Sequence, residues 1–201
     1  MAGSISELQK IALHEAGHIV IAILEGYYVY GAMLDGPALN PGAIWRNAPN
    51  GRAVETDREW AAAELRMFIG GYCAERLLLG DNNPNWVNGE NADYGMRDYC
   101  AVQHLEIPND IVLLHELGRN EKFVPYHLWR EKLRQFDWVQ YDMVIEEAER
   151  RVMDALAAHR PQLLELGRRL LSEGYLRGRD IYAIMERPWP GVDRTGAWVD
   201  F

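Results

Sequence analysis

The stretch that decides the fold is residues 4–26, SISELQKIALHEAGHIVIAILEG, a long run of helix-forming residues that ends at Gly26. Ser4 and Glu7 have the Ser-x-x-Glu spacing of a capping box, which marks the start of a helix. Glycine directly after a helical run is a common C-terminal stop. We therefore predict a first helix over about residues 5–25.

Three polar side chains interrupt the apolar part of this helix: His14, Glu15 and His18. Residues four apart lie one turn above each other, so both imidazoles project from one face and can share a metal ion. Glu15 lies beside them, where a metal-dependent hydrolase needs its general base. Gly17 costs about 1 kcal/mol relative to alanine inside a helix, which predicts a close packing contact there.

The pattern His-Glu-x-x-His predicts a zinc site. The competing interpretation is that the residues have this spacing by chance and are satisfied by hydrogen bonds within the apolar core. A catalytic zinc ion needs a third protein ligand and one open position. The first helix offers only two ligands. Spacing alone does not choose among the candidates further along the chain: Glu75, Glu90, Asp93, Asp98, His104 and His115.

Beyond Gly26 the chain changes character. Residues 27–56 are rich in aromatic and β-branched residues broken by glycine and proline, so we expect short strands there and nowhere else. A strand near Val29 to Leu34 could pair with an extended peptide along its edge. A second long helix is predicted from Asp57 to Gly80. Further helices are predicted over residues 91–107, 109–118, 138–158, 161–171 and 179–185.

Composition limits the class of protein. The 201 residues are 48% hydrophobic and 25% charged, as in an ordinary globular chain of one domain or two lobes. The net charge of −9 predicts no basic surface for nucleic acid or for an anionic membrane. Cys73 and Cys100 are too few for a disulfide framework and are expected to be buried free thiols. With no apolar stretch of roughly 20 residues, we predict a soluble, cytoplasmic protein.

Three segments, in this order, resemble the peptidase domain of the FtsH family of ATP-dependent zinc proteases. They are HEAGH at 14–18, GGYCAE at 70–75 and GENADY at 89–94. The family carries His-Glu-x-x-His, a Gly-Gly-x-x-Ala-Glu segment and a Gly-x-x-x-Asp segment whose aspartate is the third zinc ligand. The C-terminal helices are similar to the family's helical subdomain, but amphipathic helices resemble one another and add less.

The resemblance implies a zinc metalloendopeptidase in which His14, His18 and Asp93 hold the Zn2+ ion and Glu15 is the catalytic acid and base. For Glu75 the alternatives are orienting a ligand histidine, or an N-capping or ion-pairing role inside the core. Departures from the family follow the ligand aspartate, where Arg97 and Asp98 replace small residues, so the substrate cleft is expected to differ.

The fold implied is mainly α (α+β), an FtsH-like zinc peptidase helical fold with a small β-sheet after the first helix and a C-terminal helical subdomain. We predict a zinc-binding lobe over residues 1–120, a helical lobe over 121–187 and a tail rich in Trp, Pro and Gly over 188–201. The tail, with Trp189 and Trp198, either folds back on the core, docks on a neighbouring subunit or stays dynamic.

Family members carry a membrane anchor and an ATPase module before the peptidase domain, whereas this chain starts on the zinc helix. We therefore expect a stand-alone enzyme acting on flexible or unfolded polypeptides, or on substrates handed over by a separate ATPase. Assembly into a homo-oligomer stays open. Two alternatives remain: a peptidase-like regulatory or binding module that has lost turnover, and a dedicated protease that cuts one specific regulator.

Overall fold

The computed structural model describes much of the N-terminal region, the second predicted helix and most of the C-terminal region. The described residues are 6–34, 43–47, 57–80, 100, 131 and 139–190. The predicted helices over 91–107 and 109–118 lie almost entirely outside them.

Helices dominate the described residues, as predicted, and a small antiparallel sheet follows the first helix. The elements in chain order are α1 (Glu7–Leu24), β1 (Tyr28–Met33), β2 (Ala43–Asn47), α2 (Asp57–Leu79), α3 (Val139–Ala158), α4 (Arg160–Glu173), β3 (Tyr175–Arg177) and α5 (Gly178–Ile184). The fold is therefore mainly α with a minor β part.

The N-cap of helix α1 is Ser6, two residues after the predicted N-cap Ser4. The backbone N–H of Gln9 donates to Ser6 Oγ at 3.3 Å, and the N–H of Ser6 donates to Gln9 Oε1 at 2.7 Å. The prediction of Ser4 and Glu7 as the box was wrong, because Ser6 and Gln9 have the same spacing and Glu7 is already in the first turn. Gly26 ends the helix as predicted, with a φ of 84° that favours glycine.

The sheet has the strand order β2-β1-β3, and both pairings are antiparallel. Ala32 of β1 lies opposite Ile44 on one side and Leu176 on the other. Two expectations were therefore wrong. The sheet is not confined to residues 27–56, since a strand of three residues shows no periodicity that a sequence can reveal. In addition, the part of β1 from Gly31 to Met33 is paired on both sides, with β2 and with β3, so it has no edge open to a peptide there.

The core is organised around α1, which packs along α2 and α4, while α2 also packs on α3. Fully buried side chains from these helices meet there, among them Ile19, Leu65, Leu156, Leu163 and Leu166. The helices of the predicted C-terminal lobe thus lie directly against those of the zinc-binding lobe. The predicted boundary near residue 120 falls outside the described residues, so the division into lobes stays a prediction.

Two polar contacts, one buried and one half-buried, fix α2 against the end of α1. The Tyr27 hydroxyl donates to the Glu64 carboxylate, and both side chains are buried. The Arg66 guanidinium binds both carboxylate oxygens of Glu25, at 2.6 and 2.8 Å. Because paired, hydrogen-bonded groups of this kind fit only one geometry, they set the register of α2 along α1.

The beginning of the predicted tail lies on the fold. The Trp189 ring packs edge-to-face against Tyr182, with 5.1 Å between the centroids, and occupies the space that a side chain at Gly178 would need. Trp198 lies outside the described residues. Cys73 and Cys100 are buried thiols that are not joined in a disulfide, as predicted. Across the helices that the structure describes, none combines the length and the apolar character needed to span a membrane.

Candidate metal centre

The three polar residues of α1 are buried together. His14 and His18 are each 9% exposed and Glu15 is 8% exposed. Three titratable groups so far from water would destabilise the fold unless they were satisfied by hydrogen bonds or by a metal ion. The distances around the two imidazole rings show which of their nitrogen atoms have hydrogen-bond partners in the chain.

The two imidazoles turn the same nitrogen towards each other. His14 Nε2 lies 3.0 Å from His18 Nε2, and the ring planes are 77° apart. Each Nδ1 has a different partner on α2. His14 Nδ1 lies 2.5 Å from Glu75 Oε1, and His18 Nδ1 lies 2.8 Å from the backbone carbonyl oxygen of Met67. Helix α2 therefore holds both rings through their Nδ1 atoms.

These partners fix which nitrogen carries the proton. A backbone carbonyl only accepts hydrogen bonds, so His18 Nδ1 is the donor, and a carboxylate makes His14 Nδ1 a donor in the same way. The two Nε2 atoms, 3.0 Å apart, are then satisfied in one of two ways. Either a proton on His14 is donated to His18, or a metal ion binds between the two nitrogens. Zinc bonded to two imidazoles at tetrahedral angles places the nitrogens about 3.3 Å apart, so the pair fits a metal ion.

The electrostatics of the centre suit proton transfer. Burial raises the pKa of Glu15 to about 7, and the neighbouring His14 opposes that rise. Burial also lowers the pKa of His14, but the hydrogen bond and charge of Glu75 and the charge of Glu15 outweigh it, so the pKa of His14 is raised. A carboxyl group with a pKa near neutrality can both accept and return a proton.

Small residues let α1 and α2 cross closely at this point. A Cβ atom built on Gly17 would overlap the carbonyl group of Gly70 and would lie 2.6 Å from the Cβ atom of Ala74. The close contact predicted at Gly17 is therefore confirmed. It brings the backbone of α2 near enough to α1 for Glu75 and the Met67 carbonyl group to reach the histidine rings.

The predicted third ligand, Asp93, lies outside the described residues, as do the alternatives Glu90, Asp98, His104 and His115. Glu75 is described, and it binds Nδ1 of His14, on the far side of the ring from the converging Nε2 atoms. This position fits both the orienting role and the ion pair in the core, since the carboxylate pairs with His14 when that ring is protonated. Within the described part of the chain, no group of three possible ligand side chains is placed to hold a metal ion, so the third ligand stays a prediction.

Sequence reasoning missed two contributors to the centre. The Met67 carbonyl group is a backbone atom, so the identity of the residue gives no sign of its role. Gly71 did give a signal, since two adjacent glycines inside a long helix are unfavourable without a steric reason. Their neighbours supply that reason: Gly70 faces α1, and Gly71 faces the ring of His14.

Comparison with known proteins adds no relative. No protein-family model matches the chain, and no curated protein matches it significantly. The likeness to the FtsH peptidase domain therefore rests on the three sequence segments alone and stays a prediction. The geometry of His14, His18 and Glu75 is an independent observation that does not depend on that likeness.

Proposed function

We propose that the protein is a zinc-dependent metalloendopeptidase of the FtsH-like type, which hydrolyses peptide bonds in flexible or unfolded polypeptides. One observation carries the proposal. The Nε2 atoms of His14 and His18 converge at 3.0 Å while each Nδ1 atom is held by a hydrogen bond. Histidines that ligate metal almost always have such a partner on the other ring nitrogen.

In this proposal His14 and His18 hold the metal ion through Nε2, and Asp93 is the third ligand by resemblance to the family. Glu75 and the Met67 carbonyl group keep the two rings in the required tautomer and orientation. A zinc ion supplies Lewis acidity, which acidifies water and polarises a substrate carbonyl group.

Glu15 moves the proton. Its carboxylate accepts a proton from the attacking water molecule and later donates it to the nitrogen of the leaving amine. Burial raises the pKa of Glu15 to about 7 in the absence of a metal ion, and a zinc ion nearby would lower it, which favours the carboxylate that accepts the proton. General acid–base catalysis of this kind contributes roughly 10²- to 10⁴-fold to the rate.

Substrates and location form the less specific part of the proposal. A net charge of −9 disfavours nucleic acid as a partner, and two buried thiols that are not joined in a disulfide fit a reducing cytoplasm. We propose peptides or unfolded proteins as substrates, delivered either by diffusion or by a separate ATPase.

Replacement of Glu15 by glutamine tests the mechanism. The purified wild-type protein should contain about one zinc ion per chain, and Glu15→Gln should keep that zinc. The variant should lose roughly 10²- to 10⁴-fold in the hydrolysis rate of an unstructured fluorogenic peptide, because glutamine cannot accept the proton. Metal content by elemental analysis and initial rates are the measurements.

Glu165→Gln is the matched control, since Glu165 lies on the solvent side of α4 and forms an ion pair with Arg168, one turn along the same helix. It should retain the full rate. Hydrolysis that persists in Glu15→Gln contradicts the mechanism. Zinc binding without cleavage of any peptide or of unfolded casein points to the binding module, and cleavage of a single protein points to the dedicated protease.

A further inference from the structure

Two adjacent glycines, Gly70 and Gly71, lie in the interior of α2, where alanine would favour the helix more. They face different neighbours. A Cβ atom on Gly70 would lie 3.0 Å from the carbonyl oxygen of Gly17, at the crossing of α1 and α2. A Cβ atom on Gly71 would instead overlap the imidazole of His14. The helix crossing therefore explains Gly70 but does not explain Gly71.

The ring of His14 rests with its face on Gly71. The added Cβ atom would lie 2.5 Å from Cδ2 and 2.6 Å from Cε1, and about as close to Nε2 between them. Nearly equal distances to three ring atoms place the Cβ atom over the ring face and not at its edge. Carbon atoms in contact are normally about 3.5–4.0 Å apart, so the ring would have to move by about 1 Å.

The ring is held at both ends and has little freedom to move. Its Nδ1 atom is hydrogen-bonded to Glu75 and its Nε2 atom faces His18. We propose that Gly71 is a positioning residue: the missing side chain seats the His14 imidazole where both nitrogens meet their partners. This inference rests on the proposed function for its metal-binding consequence, but the seating of the ring can be tested without metal.

A double-mutant cycle in excess chelator tests the seating. The four proteins are wild type, Gly71→Ala, His14→Ala and the double variant. Gly71→Ala should lower the urea midpoint of unfolding in the wild-type background, because the methyl group collides with the ring. In the His14→Ala background the same substitution should leave the midpoint unchanged or raise it, since alanine has the higher helix propensity.

The cycle remains decisive if Gly71→Ala alone fails to fold. A double variant that folds, as judged by circular dichroism, then supports the proposal, because removal of the ring has relieved the collision. An equal loss of stability in both backgrounds overturns it, as does a double variant that fails to fold while His14→Ala folds.

Zinc affinity tests the functional consequence. Competition with a chromophoric chelator should show Gly71→Ala to bind zinc at least about tenfold more weakly than wild type, the loss typical when a ligand histidine loses its supporting contacts. The visible spectrum of bound Co2+ should change as well, which a purely global loss of stability would not produce.

Gly167→Ala is the matched control. Its Cβ atom would meet only the end of the flexible Leu13 side chain at 2.8 Å, with the next atom 3.6 Å away, so zinc affinity should stay within about threefold of wild type. Equal affinities of Gly71→Ala and Gly167→Ala for zinc overturn the proposal. A wild-type protein that binds no zinc contradicts the proposed function instead, and the chelator cycle still decides the role of Gly71.

Discussion

At the scale of single residues, the groups that bind Nδ1 of each histidine shape the centre as much as the histidines do. Glu75 is 2% exposed and uses its carboxylate on His14, whereas His18 is held by a backbone carbonyl group. A carboxylate partner makes its histidine a stronger electron donor to a metal ion. The two proposed ligands are therefore chemically unequal, although both are histidines on one helix face.

Replacement of Glu75 by glutamine should weaken zinc binding by roughly 10- to 100-fold, because the amide keeps the shape of the side chain but removes the charge that polarises His14. Competition titration with a chromophoric chelator measures the change. Glu149→Gln is the control: Glu149 is buried on α3 and pairs with Arg76, next to Glu75 in the chain. Equal affinities of the two variants would show that Glu75 does not support the metal ligand.

The sequence predicts those features of the centre that depend on local helix geometry. The helical spacing of His14 and His18 places both on one face, and the glycine at position 17 signals the helix crossing; both predictions depend on local geometry alone. The partner of His18 could not be predicted, because a backbone carbonyl group carries no residue identity. The contact of Glu75 with His14 could not be predicted either, because the two residues are 61 positions apart and only the fold brings them together.

At the scale of elements, the crossing of α1 and α2 sets the centre, and glycines at its closest point make it possible. Gly17→Ala should lower the free energy of unfolding of the chelated protein by about 1–3 kcal/mol, as over-packing of a tight core contact does. Urea unfolding measures the loss. Gly167→Ala makes the same chemical change on α4, where it faces Leu13 of α1, and should cost less. A Gly17→Ala protein as stable as wild type contradicts the close crossing.

The elements also show where sequence patterns fail. The long helices α1 and α2 were predicted from periodicity and from their glycine stops at Gly26 and Gly80, both of which have positive φ angles. Strand β3 was missed, because three residues are too few for a period to appear. Only the tertiary pairing of β3 with β1 makes this segment a strand, and the same pairing closes the edge of β1 from Gly31 to Met33.

At the scale of the whole molecule, zinc should stabilise the protein, since a ligand that binds only the folded state raises the free energy of unfolding. With free zinc at about 1,000 times the dissociation constant the gain is about 4 kcal/mol. Asp93→Asn should reduce this gain if Asp93 is the third ligand. Thermal unfolding with zinc and with chelator measures it.

Asp154→Asn, an exposed change on α3, is the control for that experiment and should leave the zinc response intact. An Asp93→Asn protein that zinc stabilises as strongly as wild type contradicts the assignment of Asp93. The other carboxylates of the same segment, Glu90 and Asp98, would then be the residues to replace.

The joining of the two ends of the chain has a consequence for biosynthesis. The Tyr182 hydroxyl donates to the carbonyl oxygen of Tyr27, 155 residues earlier, and β3 completes the sheet on β1. The helix with the two histidines is therefore fully enclosed only after β3 and α5, which follow it far along the chain, have been synthesised and have packed against the sheet. The proposed peptidase activity would then begin only after this late step, so that segments made in between are not exposed to a finished centre.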